Sequence, residues 1–147
     1  MRFRYPLQKI VDLKGSEKSM AEWEYAASLG RLKEEEERLR ELDAERAAAR
    51  ERIESSAASG VTLAELTSLQ HYLDVLDGKV RRQTEGVEAA EALVRLRRSK
   101  LAEKSIDEKV WQNARDKALR IHRHEWLIKQ QNELDEIATV RAASARG

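Results

Sequence analysis

Apolar residues recur every seven positions through the second half of the chain. Leu66, Leu73, Val80, Val87, Val94 and Leu101 hold one phase without a slip. Leu69, Leu76 and Ala90 fill the companion position of the same stripe, which Gln83 and Arg97 interrupt. Such an a/d heptad predicts a coiled-coil helix rather than a strand. Gly78 and Gly86 lie inside it, and each costs about 1 kcal/mol against alanine. The phase passes through both, so no break is expected there. Beyond Leu101 the pattern predicts a phase shift. Val110, Ala114, Ile121 and Ile128 make one stripe, and Leu127, Leu134 and Ile137 a neighbouring one. The first half is less regular. Leu13, Met20 and Ala27 share one phase; Leu32, Leu39 and Ile53 share another, with Leu42 and Ala49 alongside. That face is expected to drift, as in a coiled coil with a stutter.

Punctuation is concentrated in one place. Ser55, Ser56, Ala57, Ala58, Ser59 and Gly60 form a small, flexible stretch. Thr62-Leu63-Ala64-Glu65 then reads as a capping box, in which hydroxyl and carboxylate each take the other residue's N–H. Pro6 suits the first turn of a helix, where its missing N–H costs nothing. These signals predict one helix over about 6–56, a turn over about 57–61 and a second helix over about 62–141, in a single coiled-coil domain, 1–147. Two long amphipathic helices on a short link run antiparallel. The expected fold is therefore all-α, an antiparallel two-helix coiled-coil hairpin with the longer C-terminal helix. At 1.5 Å per residue the arms are about 75 Å and about 120 Å. With the turn near Ser59, position 7 lies beside 111, and 112–140 overhangs as a lone helix. Charge offers a competing register, because 34–45 holds seven acids and two arginines while 95–104 holds five bases and one acid. Facing those segments moves the turn to about residue 70. The unbroken heptad favours the first register, since exposed ion pairs contribute only a few tenths of a kcal/mol each.

Composition supports long helices over a globule. Charged residues are 37% and aromatics 5% of the chain, too little apolar bulk for a compact core of this length. One proline and six glycines are too few for a turn-rich β-sandwich or an α/β enzyme. The 28 basic and 27 acidic residues nearly cancel, unlike a typical disordered chain. With no cysteine there is no disulfide, thiolate metal site or cysteine nucleophile. Residues 1–13 carry Arg2, Arg4, Lys9 and Asp12 and do not read as a signal peptide. No stretch approaches the roughly 20 apolar residues of a membrane span, so a soluble, cytoplasmic protein is expected.

Candidate chemistry is sparse. His122 and His124 are two apart and point to different sides of a helix, so they read with His71 as solvated surface histidines rather than metal ligands. Carboxylates are plentiful, but a two-helix rod offers no dry, concave site to perturb them. No enzyme activity, cofactor or metal is expected. Residues 95–123 hold ten Lys/Arg against four acids. That face suits an acidic protein surface or a solvated exterior; no nucleic-acid fold signature accompanies it. Tyr72 and Leu76 lie one turn apart near the bend, either as core or as an exposed docking pair. Trp23, Trp111 and Trp126 are expected flat along the seam or, on the overhang, facing a partner.

Three segments carry a family resemblance. Phe3-Arg4-Tyr5-Pro6-Leu7-Gln8-Lys9-Ile10-Val11-Asp12-Leu13-Lys14 resembles the opening of the flagellar export FliJ family. Leu69-Gln70-His71-Tyr72-Leu73, followed by Leu76, is similar to that family's stretch just after the turn. Gln130-Gln131-Asn132-Glu133-Leu134-Asp135-Glu136-Ile137-Ala138 is similar to its C-terminal signature, with Asn132 where lysine is usual. The resemblance implies an antiparallel coiled coil like the gamma stalk of rotary ATPases, with no catalytic activity. It implies work at the cytoplasmic face of the bacterial membrane, at the base of the flagellar type III export apparatus. The implied partners are the export ATPase ring, the export gate protein FlhA and export chaperones. On that footing Phe3, Tyr5, Leu7, Gln8, Leu13, Arg120, Arg123, Leu134 and Ile137 are expected to meet the ATPase. Leu69, Tyr72 and Leu76 are expected to meet the gate. A generic coiled-coil scaffold, or an injectisome stalk with other partners, is the alternative.

Overall fold

A computed structural model describes residues 2–146. It contains two helices, α1 (Gln8–Ser59) and α2 (Leu63–Arg146), and no strand among the described residues. The fold is the all-α, antiparallel two-helix hairpin with the longer second helix. Contacts divide it into two compact units. The turn unit is Met20–Leu101 and the terminal unit is Met1–Ser19 with Ala102–Gly147.

α1 runs three residues further than the turn signals imply. Ala57 and Ala58 are good helix formers, and the Ser59 hydroxyl donates to the carbonyls of Ser55 (3.0 Å) and Ser56 (3.2 Å). Gly60, at φ 80°, then closes the helix in the left-handed region. The Val61 N–H returns to the Ser56 carbonyl at 3.4 Å, the six-to-one bond of a Schellman end. α2 opens as its capping residue requires: the Glu65 N–H donates to Thr62 Oγ1 at 3.3 Å. At the other end Pro6 sits in a turn ahead of α1, whose Gln8 N–H reaches the Tyr5 carbonyl at 3.1 Å.

In the turn unit the seam is one unbroken heptad on both helices. From α1 it buries Ala21, Ser28, Leu42 and Ala49; from α2 it buries Leu76, Val80, Val87, Ala90 and Val94. The expected stutter in α1 is absent. Small Ala21 and Ser28 keep the phase of Leu42 and Ala49, and the Ser28 hydroxyl is satisfied by the Tyr25 carbonyl at 2.7 Å. Met20 instead lies outside the seam, 64% exposed, as does Trp23 at 72%. Neither Gly78 nor Gly86 breaks α2.

The two residues that interrupt the apolar stripe fix the register. Gln83 Nε2 donates to the Glu35 carbonyl at 2.9 Å and to the Glu35 carboxylate at 2.5 Å. Arg31 takes the other carboxylate oxygen at 2.9 Å. Gly86 leaves the room: a Cβ there would lie 3.2 Å from Glu35 Oε2. Arg97 and Lys100 converge on Glu24 at 2.7 and 3.2 Å. This is the register with the turn near Gly60. The charge-paired alternative is not formed, because Glu35 meets Gln83 while Arg97 and Lys100, within 95–104, meet Glu24. A polar group at a seam position has one good partner, and any slip strands it.

The terminal unit uses different chemistry. Val11, 2% exposed, is its buried apolar side chain among the described residues. Ion pairs line the rest of the junction: Lys14–Asp107 at 2.9 Å, Lys104–Glu17 at 3.3 Å and Lys18–Glu108 at 3.2 Å. Here α2 keeps the seven-residue spacing of the turn unit, but the half-buried residues at it are Glu108, Arg115 and His122. The apolar phase shift in the sequence is therefore not a shift of the packed face. Ile106, Val110 and Ile121 lie outside the seam, 66%, 59% and 49% exposed, and Leu13 is 54% exposed.

Candidate functional site

The N-terminal segment, 2–7, is not helical, yet it is held against α2. The Phe3 ring packs at a tilt against His122, 5.2 Å between centroids and 48° between planes. The Arg115 guanidinium lies 5.9 Å from the same ring. Arg115 Nε also donates to Gln8 Oε1 at 2.7 Å, and Gln8 Nε2 donates on to Asp12 at 3.0 Å. Two consequences follow. The overhang is shorter than the expected 112–140, since α2 is engaged as far as His122. Extended chain advances about 3.3 Å per residue against 1.5 Å for helix, so a few residues cover roughly twice as many of α2. His122 is also not a solvated histidine: its Nε2 is buried and has no hydrogen-bond partner among the described residues.

This clasp shapes a shallow concavity of about 620 Å³. Arg2, Arg4, Lys9 and Arg115 line it together with Phe3 and Tyr5, and no acid does. Four cations around aromatic rings form a surface suited to an acidic, partly apolar protein segment. Among the described residues no His, Asp and Glu side chains gather as a metal-holding group, and no helix is long and apolar enough to cross a membrane.

The sequence-derived candidates fall into three groups. Phe3, Tyr5 and Gln8 are half-buried in the clasp, with Leu7 beside them at 42% exposure. Arg120, Arg123, Leu134 and Ile137 are exposed on α2, with Leu134 at 59% and Ile137 at 51%. In the turn unit Tyr72 is 49% exposed while Leu76 is 1% exposed. Leu76 is thus core, the first of the two alternatives the sequence left open for it. Its position lies on the seam and Tyr72 lies one position off it. Leu69 is half-buried and lines a concavity with Val61 and Ala64. The sequence reading missed Arg115, whose signal was a cation at a seam position facing the opening aromatic.

A family model described as flagellar FliJ protein matches residues 3–147. The flagellar FliJ protein of Bacillus subtilis (strain 168) is 23% identical over 138 residues, which cover 94% of each chain. Among solved structures, a Chlamydia trachomatis protein described as a YscO homologue superimposes with a TM-score of 0.71 at 21% identity. That match covers 95% of this chain and 94% of the other, and it shares the fold. With the family match spanning nearly every residue, the chain belongs to the flagellar FliJ protein family.

Proposed function

We propose that this protein is a non-enzymatic stalk and coupling component of the flagellar type III export apparatus. In this reading it joins the export ATPase ring to the gate protein FlhA and escorts export chaperones, at the cytoplasmic face of the membrane. The observation that carries the reading is the cationic, aromatic concavity of the terminal unit. Phe3 and Tyr5 supply apolar contact there, and Arg2, Arg4, Lys9 and Arg115 select an acidic segment of the ATPase. Leu7, Gln8 and Leu13 extend that contact along α1, and Arg120, Arg123, Leu134 and Ile137 extend it along exposed α2. The gate meets Tyr72, with Leu69 beside it and Leu76 supporting both from the core.

The test is to mix the protein with its cognate export ATPase and follow hexamer assembly and ATP turnover. Stimulation by the native chain that is lost in an Arg4→Glu/Lys9→Glu variant of unchanged helicity supports the coupling role. Absence of association with a fully helical native chain points to a scaffold with other partners. Binding to the cytoplasmic part of the gate is read separately; Tyr72→Ala is expected to weaken it while leaving the ATPase response intact.

A further inference from the structure

The outward face of α2 in the terminal unit carries a stripe that nothing in the chain covers. Ile106, Val110 and Ile121 are 66%, 59% and 49% exposed, and Ala114 lies exposed between them. These positions, with Glu103, Asp107, Asn113, Lys117, Arg120 and His124, fall on one side of an α-helix at 3.6 residues per turn. Isolated exposed apolar residues need no explanation, but an aligned set on one helix face marks a contact surface.

The order of charges along this stripe is directional. Its N-terminal end carries Glu103 and Asp107; its C-terminal end carries Lys117, Arg120 and His124. The sequence mirrors itself about the midpoint between Asn113 and Ala114. Reflection there pairs Ile106 with Ile121, Asp107 with Arg120, Glu103 with His124 and Val110 with Lys117. Apolar falls on apolar, acid falls on base, and the aliphatic stem of lysine falls on valine. Small Ala114 sits at the centre, where two helices approach most closely. Asp107 is also held by Lys14 at 2.9 Å. Among the described residues Glu103, Lys117, Arg120 and His124 have no ion-pair or hydrogen-bond partner of their own, and all four are exposed.

We propose that this stripe is a self-association surface that takes a second copy of the same chain, antiparallel, about a two-fold axis at Asn113–Ala114. A two-fold contact needs a self-complementary patch, and the reversed charge order supplies one. An anionic lipid surface or a uniformly acidic protein would be repelled by Glu103 and Asp107. A uniformly basic partner would be repelled at the other end. The patch comprises ten residues, against the roughly 20–30 a side of a standard stable interface. The pairing is therefore a concentration-dependent equilibrium. The inference does not depend on the proposed coupling role.

Sedimentation equilibrium over a wide concentration range tests it, alongside symmetric crosslinking. The chain lacks cysteine, so Ala114→Cys is a clean probe and Val140→Cys a matched exposed control. The native chain is expected to show a monomer–dimer equilibrium that weakens with salt, and Ala114→Cys to form a disulfide dimer under mild oxidation while Val140→Cys does not. Ile106→Asp/Ile121→Asp should weaken association at least about tenfold, which is 1.4 kcal/mol, at unchanged helicity. Glu103→Lys should weaken it and added His124→Glu restore it. A chain monomeric at every concentration with no Ala114→Cys crosslink overturns the proposal. So does a dimer indifferent to both the aspartate pair and the charge reversal.

Discussion

The two units join the same pair of helices by opposite means. The turn unit buries Leu42, Ala49, Leu76, Val80, Val87, Ala90 and Val94 in a continuous seam. The terminal unit buries Val11 and otherwise relies on Lys14–Asp107, Lys104–Glu17, Lys18–Glu108 and the tilted Phe3–His122 ring contact. Apolar burial is worth about 25 cal/mol per Å² and tolerates salt. Exposed ion pairs contribute roughly 0–1 kcal/mol each and are screened. The difference assigns firm cohesion to one unit and a loosely bonded, polar surface to the other. In the proposed reading, that second surface is where the partner ring docks.

The largest expected effect is Leu76→Ala, which empties the most buried position of the turn unit. It should cost about 2–5 kcal/mol in urea unfolding followed by circular dichroism. Val11→Ala removes two methyl groups from the terminal unit and should cost about 1.5 kcal/mol. Equal losses would break the comparison. Gln83→Ala strips Glu35 of its cross-helix partner, and a bond to a charged group is worth about 1.5–3 kcal/mol. Its unfolding midpoint should fall accordingly, with Gly86→Ala giving no rescue because its Cβ meets the same carboxylate.

Glycine substitutions sharpen the contrast from the other side. Gly78→Ala adds a Cβ whose nearest neighbour is Arg82 Nη1 at 3.5 Å, an ordinary contact. Gly15→Ala in the terminal unit meets nothing within 4 Å. Each should raise stability by about 0.8–1 kcal/mol. If only the turn unit is cooperative with global unfolding, Gly78→Ala alone shifts the main transition, and Gly15→Ala shifts amide exchange in its own segment.

The smallest effects are ionic. The Glu24 carboxyl lies below its ordinary value of 4.5, chiefly through the Lys100 hydrogen bond, with Arg97 adding to it. Its contribution is present above that unfolded value and is lost as pH falls through the lowered folded one. Lys14 lies above its ordinary 10.5, chiefly through its bond to Asp107. Its contribution is present below 10.5 and is lost as pH rises through the folded value. NMR titration of the two side chains should place their midpoints on those sides. Molar salt should accelerate exchange at 11–19 far more than at 76–94; equal acceleration would count against a charged junction.

Much of the fold is legible in sequence because helices follow local rules. The valine and leucine heptad from Leu66 to Leu101 places α2, and Thr62 and Gly60 place the turn. What misleads is the assumption that apolar stripes mark packed faces. Leu13 and Met20 in α1, and Ile106, Val110 and Ile121 in α2, form regular stripes that stay outside the seam. The faces that do pack there hold small Ala21 together with Ser28, Glu108, Arg115 and His122, the last four of which hydropathy scores as gaps. The candidate site was legible in part. Phe3, Tyr5 and Gln8 were read from a family resemblance, whereas Arg115 and His122 lie more than a hundred residues away in sequence and meet them only through the antiparallel fold.

The sequence by itself determined two helices, the turn between them and the family, since each rests on local periodicity, capping groups or short motifs. The tertiary structure alone decided register, the phase of each packed face and the buried state of Leu76. It alone set the joining of Phe3 to His122 as well. These depend on cross-helix pairs such as Gln83 with Glu35, whose energy exists only once both partners leave water together, and no window along a single chain contains both.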